Sequence, residues 1–330
     1  MQFAKLRKPA SRMASLIILL GILAVSDILF GSVIVPMSSF FKIFSHSDFD
    51  SYSLIIREFR IPKMFTALTV GAALSVAGLL MQTLFRNPLA DAYILGISSG
   101  ASLGVAMFVL SGISFLGFGG VAMPAALGAL AILILLLLVT ARINHILTVL
   151  ILGVLISSAI SALITVLQYF SPSADLQRFV IWTMGNLNTL GLEELKILIP
   201  TVLIVVLGTL FMTRQLDISQ VSDTFAKTLG VNMFRLKILI ISTVALLAGI
   251  STAYAGPVGF IGMIMPHLAR NFFRSSKHAI LIPATALIGA NFLIFADILT
   301  QIPQSPLPVN AVTALLGIPI LVYIIFKSKL

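Results

Sequence analysis

The residues able to do chemistry are few and lie far apart. Eleven Asp and Glu, 21 Lys and Arg and four His are spread over 330 residues, and there is no cysteine. That removes disulfides and thiolate metal sites. His46, His145 and His278 fall in loops, so the paired intramembrane histidines of a membrane haem carrier are missing. His267 stands at the cytoplasmic end of an apolar run, where it is a hydrogen-bonded structural residue or a ligand. No GxxxxGK[ST] run occurs, so the chain should not bind ATP by that device. Two carboxylates, Asp27 and Asp297, sit inside apolar runs, toward their outer ends. An Asp at the centre of a span costs about 2.5–3.5 kcal/mol to insert. The pair is read either as structural polarity along a pathway or as the coupling carboxylates of an ion-driven transporter.

Such sparse chemistry needs an unusual frame. The chain is 59% hydrophobic and 10% charged, with a mean hydropathy of +1.11. A soluble domain carries about 25% charged residues. So much apolar surface calls for lipid as solvent, and an apolar run of about 20 residues spans it as a helix. Ten spans are expected, at about 13–35, 62–84, 92–110, 118–140, 146–170, 194–213, 234–254, 257–273, 279–300 and 309–326. A further short helix is expected within 172–190, outside. The whole of 1–330 reads as one transmembrane domain. Residues 1–12 form a cytoplasmic segment, and the first apolar run is too long for a signal-peptide core.

Charge sets the orientation. With the N-terminus inside, 15 Lys and Arg fall in cytoplasmic segments and six outside. Cytoplasmic loops carry such an excess, so the net charge of +10 points to a membrane and not to nucleic acid. Four of the six outside charges cluster at Lys42, Arg57, Arg60 and Lys63.

Small residues and prolines mark the rest. RNPLAD places Arg86, Asn87, Pro88 and Asp91 in a cytoplasmic turn, where Pro88 lacks an N–H and holds Asn87 out of the helical region. Gly96, Gly100 and Gly104 follow at intervals of four, with Ser99 among them, and Gly71, Ser75 and Gly78 recur in the preceding span. Small faces let helix backbones approach in lipid. They either pack tightly or line a pathway. Gly256 and Pro257 break the chain between the seventh and eighth spans. Gly259 and Gly262 slim the next helix, and Pro266 kinks or ends it. The largest cytoplasmic loop, 214–233, reads as one short amphipathic helix. Ser222 caps it, Asp223 favours its first turn, Phe225, Ala226 and Leu229 form its apolar stripe, and Gly230 ends it. It is a surface connector or a docking helix.

Over about residues 55–326 the chain resembles the FecCD-type permeases of ATP-binding-cassette importers. The resemblance rests on RIPK (60–63), GAALSVAGLLMQTLFRNPLADAYILGISSGASLG (71–104), LILGVLISSAISAL (150–163), WTMGNL (182–187), AGPVGFIGMIMPHLAR (255–270), LIPATALIGANFLIFAD (281–297) and LPVNAVTALLGIPILVYII (307–325), in that order. It implies an all-α type II importer permease in the bacterial inner membrane, with about ten helices and both termini cytoplasmic. It further implies pairing with a second copy or close paralogue, two ATPase subunits and an extracytoplasmic binding protein. No cofactor is expected in this chain, since ATP and Mg belong to the ATPases. The cargo implied is an iron(III)–siderophore, haem or cobalamin. Arg57, Arg60 and Lys63 match positions that meet acidic residues of the binding protein; otherwise they are snorkelling side chains at a helix end. Residues 222–230 match the coupling helix, with Ser222–Asp223 where many members have Gly–Glu. Gln301 stands where some relatives carry an arginine.

Overall fold

A computed structural model describes residues 2–31, 35–36, 51–111, 118–142, 146–188, 190–302 and 307–328. Lys42, His46, His145 and residues 303–306 lie outside the described residues. All regular structure among the described residues is helical. This is what hydrocarbon demands, since a helix satisfies its own backbone donors and acceptors.

Each expected span finds a helix: α1 (Gln2–Leu29), then, after a short α2 (Ser51–Ile55), α3 (Ile61–Phe85), α4 (Ile97–Val109), α5 (Ala122–Arg142) and α6 (Ile146–Phe170). An outer helix α7 (Ser173–Thr183) precedes α8 (Leu192–Leu210). The short α9 (Thr213–Ser219) and α10 (Asp223–Thr228) lead to α11 (Met233–Ala255), α12 (Ile261–Phe273), α13 (His278–Thr300) and α14 (Val309–Ser328). Six of the apolar helical stretches are individually long enough to cross a bilayer.

The bundle is built around α3. Its apolar stretch is 83% buried, against 11% for α1. α3 packs on α13, α11 and α12, while α4 pairs with α5. α1 lies outside, against α13. The glycines decide the closest approaches, though with partners the spacing did not reveal. The small faces of the second and third spans do not meet each other. A Cβ on Gly71 would strike the Gly289 carbonyl, and one on Gly78 the Gly262 carbonyl. Gly100 faces Gly128, and Gly104 faces the Pro124 carbonyl.

Several boundaries differ from expectation. The first helix runs back through the charged segment to Gln2, so residues 2–12 are its opening turns. The third and eighth spans are shorter than expected because their first residues are unwound. A 3₁₀ turn fills Ala92–Leu95, and Gly96 adopts φ 80° before α4. Residues 256–260 are non-helical, closing with Phe260 at φ 70°. Pro266 does not end α12, which continues to Phe273. The loop 214–233 is not one helix. α8 bends by 58° into α9, and α10 is a separate six-residue helix.

Candidate functional site

At the outer end, α1, α3 and α13 enclose a cluster of opposite charges. Lys63 Nζ lies 2.7 Å from Asp297 Oδ2. Arg60 donates from Nη1 to the backbone oxygens of Asp27 (3.3 Å) and Phe30 and to Gln301 Oε1 (3.3 Å). Gln301 Nε2 in turn donates to Asp27 Oδ1 at 3.0 Å and to Asp297 Oδ2 at 3.3 Å. Two cations and two carboxylates face each other with little water: Arg60 is 7% exposed, Lys63 5%, and both aspartates 1%. Buried charges persist where they are paired and hydrogen-bonded.

The outer basic cluster divides in the structure. Arg60 and Lys63 turn inward into this cluster, while Arg57, with its side chain 58% exposed, points out beside Glu58, 3.9 Å away. The cause is local. Residues Ile56–Arg60 form a π turn ahead of α3. Its wider i→i+5 winding advances fewer degrees per residue. Arg57 therefore leaves the face shared by Arg60 and Lys63. The two carboxylates of the ion-coupling reading both lie in this cluster, Asp297 paired with Lys63 and Asp27 accepting from Gln301.

At the cytoplasmic end, Arg86 closes α3 in the left-handed region, φ 47°. Its Nη2 donates to the Ser219 carbonyl at 2.7 Å and to Asp223 Oδ1. Asp223 Oδ2 takes a further ion pair from Lys237 Nζ, 3.1 Å away at the start of α11. Burial alone would push the Asp223 carboxyl up. Hydrogen bonds from Lys237 and Arg86, with their charges, outweigh this and hold it below the usual carboxylate range. Ser222 caps α10 as expected, its Oγ accepting from Phe225 N at 3.0 Å. Gly230 ends the turn at φ 80°. Of the expected stripe, Ala226 is buried, while Phe225 and Leu229 face outward, 45% and 54% exposed.

The RNPLAD turn divides. Asn87 Oδ1 accepts from Leu89 N at 3.0 Å, and His267 Nε2 donates to the Pro88 carbonyl at 2.8 Å. His267 is thus a structural donor pinning the turn to α12. Asp91, expected in the turn, has left it. The chain folds back along α3, so that Asp91 stands against Gly262, whose backbone meets Gly78. Gly78 is about two turns, roughly 10 Å, above the end of α3. Asp91 caps the 3₁₀ turn there, accepting from Ala92 N at 2.7 Å.

The two unwound stretches meet. Val258 N donates to Tyr93 Oη at 3.2 Å, and Gly259 N to Asn310 Oδ1 at 3.0 Å. Gly256 passes too close to the Trp182 carbonyl for any Cβ. Pro257 and Gly259 thus belong to a break supplied with hydrogen bonds by two other elements, as backbone away from water requires. Sequence reasoning missed Tyr93 and Asn310, since nothing in their spacing links them to residues 256–260. It also misplaced His278. That residue is fully buried, with Nδ1 2.7 Å from Asp217 Oδ1 and Nε2 2.9 Å from Thr83 Oγ1.

A bundle of apolar spans, with two of them interrupted and joined at their breaks, defines a multi-pass membrane transport subunit. The chain belongs to the FecCD transport family, whose model matches residues 16–327. It is 34% identical over 329 residues to the hemin transport system permease HmuU of Yersinia pestis, covering 98% of this chain and 97% of that one. It is 34% identical over 278 residues to the vitamin B12 import permease BtuC of Klebsiella pneumoniae, covering 84% and 83%. A solved structure of a transporter assigned to the metal-chelate ABC type, in an inward-facing conformation, superposes with a TM-score of 0.85. The identity there is 29%, covering 96% of this chain and 98% of the other. The fold is that of the type II ABC importer permeases.

Proposed function

We propose that this chain is the membrane permease subunit of an ABC importer that carries an iron(III)–siderophore complex, with haem or cobalamin as the other cargoes its relatives' names suggest. It works beside a second permease copy or close paralogue. Two ATPase chains dock on the cytoplasmic side, and an extracytoplasmic binding protein delivers the cargo.

One observation carries the coupling part of this reading. Arg86, the C-cap of the central helix, is bonded both to Ser219 and to Asp223, the first residue of α10. Phe225 and Leu229 offer α10's apolar side to an ATPase groove, while Ala226 seats it on the bundle. Displacement of α10 by ATP-driven motion then passes through Asp223 to α3 by Arg86 and to α11 by Lys237. The chain performs no covalent step. The cargo's path holds it weakly, and affinity rests with the binding protein. Arg57, exposed beside Glu58, is an outward cation suited to docking that protein.

The test is to purify the tagged chain from its native membrane and identify what accompanies it by mass spectrometry. The reading expects an ATPase chain and a binding protein. The binding protein is then titrated with ferric siderophores, haemin and cobalamin. A chain recovered alone in mild detergent, whose transport runs on an ion gradient without ATP, refutes it.

A further inference from the structure

The cytoplasmic face holds a cavity of about 330 Å³ that the import reading leaves without a task. Arg86, Arg270 and His267 line it, together with the neutral polar side chains of Gln82, Thr83 and Gln220. No carboxylate lines it. Asp223 belongs to a separate cavity on the other side of Arg86, shared with Lys237.

Arg270 is the informative residue. It rises from α12 into the bundle and donates from Nη1 to Gln82 Oε1 at 2.6 Å. Gln82 is itself oriented, donating from Nε2 to the Met263 carbonyl at 2.8 Å. Among the described residues Arg270 has no carboxylate within ion-pair distance, and its Nε and Nη2 have no acceptor. Arg86 uses Nε and Nη2 on Ser219 and Asp223, which leaves Nη1. Arg270 is half-buried, so its unused donors face the cavity and its water without a counter-ion. Its guanidinium is held by a positioned amide at the wall of a cavity whose other charged group is a second guanidinium. Planar forks of N–H donors match tetrahedral oxyanions in geometry as well as charge. The volume takes a phosphate group with water around it.

We infer that the cavity lined by Arg86, His267 and Arg270 is a binding site for a phosphate-type oxyanion, supplied as free phosphate or as the headgroup of an anionic phospholipid of the inner leaflet. The site exists whether or not the chain imports a metal chelate.

The full-length permease is melted in phosphate and in chloride at matched ionic strength. It is reconstituted in vesicles of phosphatidylcholine alone, and in vesicles that also contain phosphatidylglycerol. Phosphate is expected to raise the midpoint in phosphatidylcholine vesicles, as a ligand bound only by the folded state must. Arg270→Gln should weaken the apparent phosphate affinity about tenfold or more, the scale of a lost charged hydrogen bond. Arg270→Lys, which keeps the charge and loses the fork, should fall between. Arg274→Gln, an exposed charge outside the cavity, should leave the response unchanged. If phosphatidylglycerol raises the midpoint and abolishes the phosphate response, the headgroup is the occupant; if the response persists, free phosphate is. Equal melting in phosphate and chloride in both vesicle types overturns the inference. So does a phosphate response that survives Arg270→Gln, or a sensitivity to Arg270 that appears only in the ATPase complex, which would assign the cavity to a protein carboxylate.

Discussion

Lys63 and Asp297 form a buried ion pair of 2.7 Å between the central helix and α13, and neither side chain reaches solvent. The pair converts what looks like an outward docking patch into an internal fastening. Removing one partner strands the other. Lys63→Met is expected to destabilise the permease by about 3–5 kcal/mol, whereas Lys63→Met combined with Asp297→Leu recovers most of the loss. Thermal unfolding of the two variants in detergent checks this. A double variant no more stable than the single one contradicts it.

Arg57 should carry part of the docking charge. Arg57→Glu is expected to weaken binding-protein affinity several-fold and flatten its salt dependence, with the permease melting normally. Surface-immobilised permease titrated with binding protein at two salt concentrations gives the answer. Unchanged affinity returns Arg57 to a snorkelling role.

Phe225→Asp with Leu229→Asp places two charges on the exposed apolar side of α10. It should leave the fold intact and abolish transport-stimulated ATP hydrolysis. Arg86→Ala should slow transport while retaining ATPase binding, because it severs α10 from α3 on the far side of the docking surface. Normal transport in Arg86→Ala removes the lock from the mechanism.

Asp223 gives a pH dependence of known sign. Its folded-state pKa is held below the ordinary value of 3.8, so its contribution to stability is fully present above that value. The contribution is lost as pH falls through the lowered folded-state value. The gap in Tm between the wild type and Asp223→Asn should therefore be constant near neutrality and close below about pH 4. A gap that widens on acidification contradicts the assignment.

Two glycines should respond in opposite directions to the same methyl group. Gly78→Ala drives a Cβ into the Gly262 backbone and is expected to destabilise or block assembly. Gly208→Ala meets nothing within 4 Å and should gain up to about 1 kcal/mol from helix propensity. Expression level and melting temperature separate the two.

The sequence shows helices well because lipid imposes a long apolar period on each, and positive charge orients them. It shows local caps too: Ser222 is legible because its partner, Phe225, is three residues away. What it hides are contacts whose partners lie far along the chain. Gly71 and Gly78 announce a close approach but not that Gly289 and Gly262 receive it. Arg60 and Lys63 read as exposed because a π turn, which has no compositional signature, sets their direction. Tyr93 and Asn310 are single polar residues near apolar runs, and their role depends on an unwound stretch some 165 and 51 positions away.

The backbone-to-backbone seams of α3 with α12 and α13 have a mechanical consequence. Backbone meets backbone across each seam at Gly71 and Gly78, so there is little soft layer to shear. The three helices form one stiff spar. A cycle of opening and closing is then taken up away from these seams, as at the 58° elbow leading into α9.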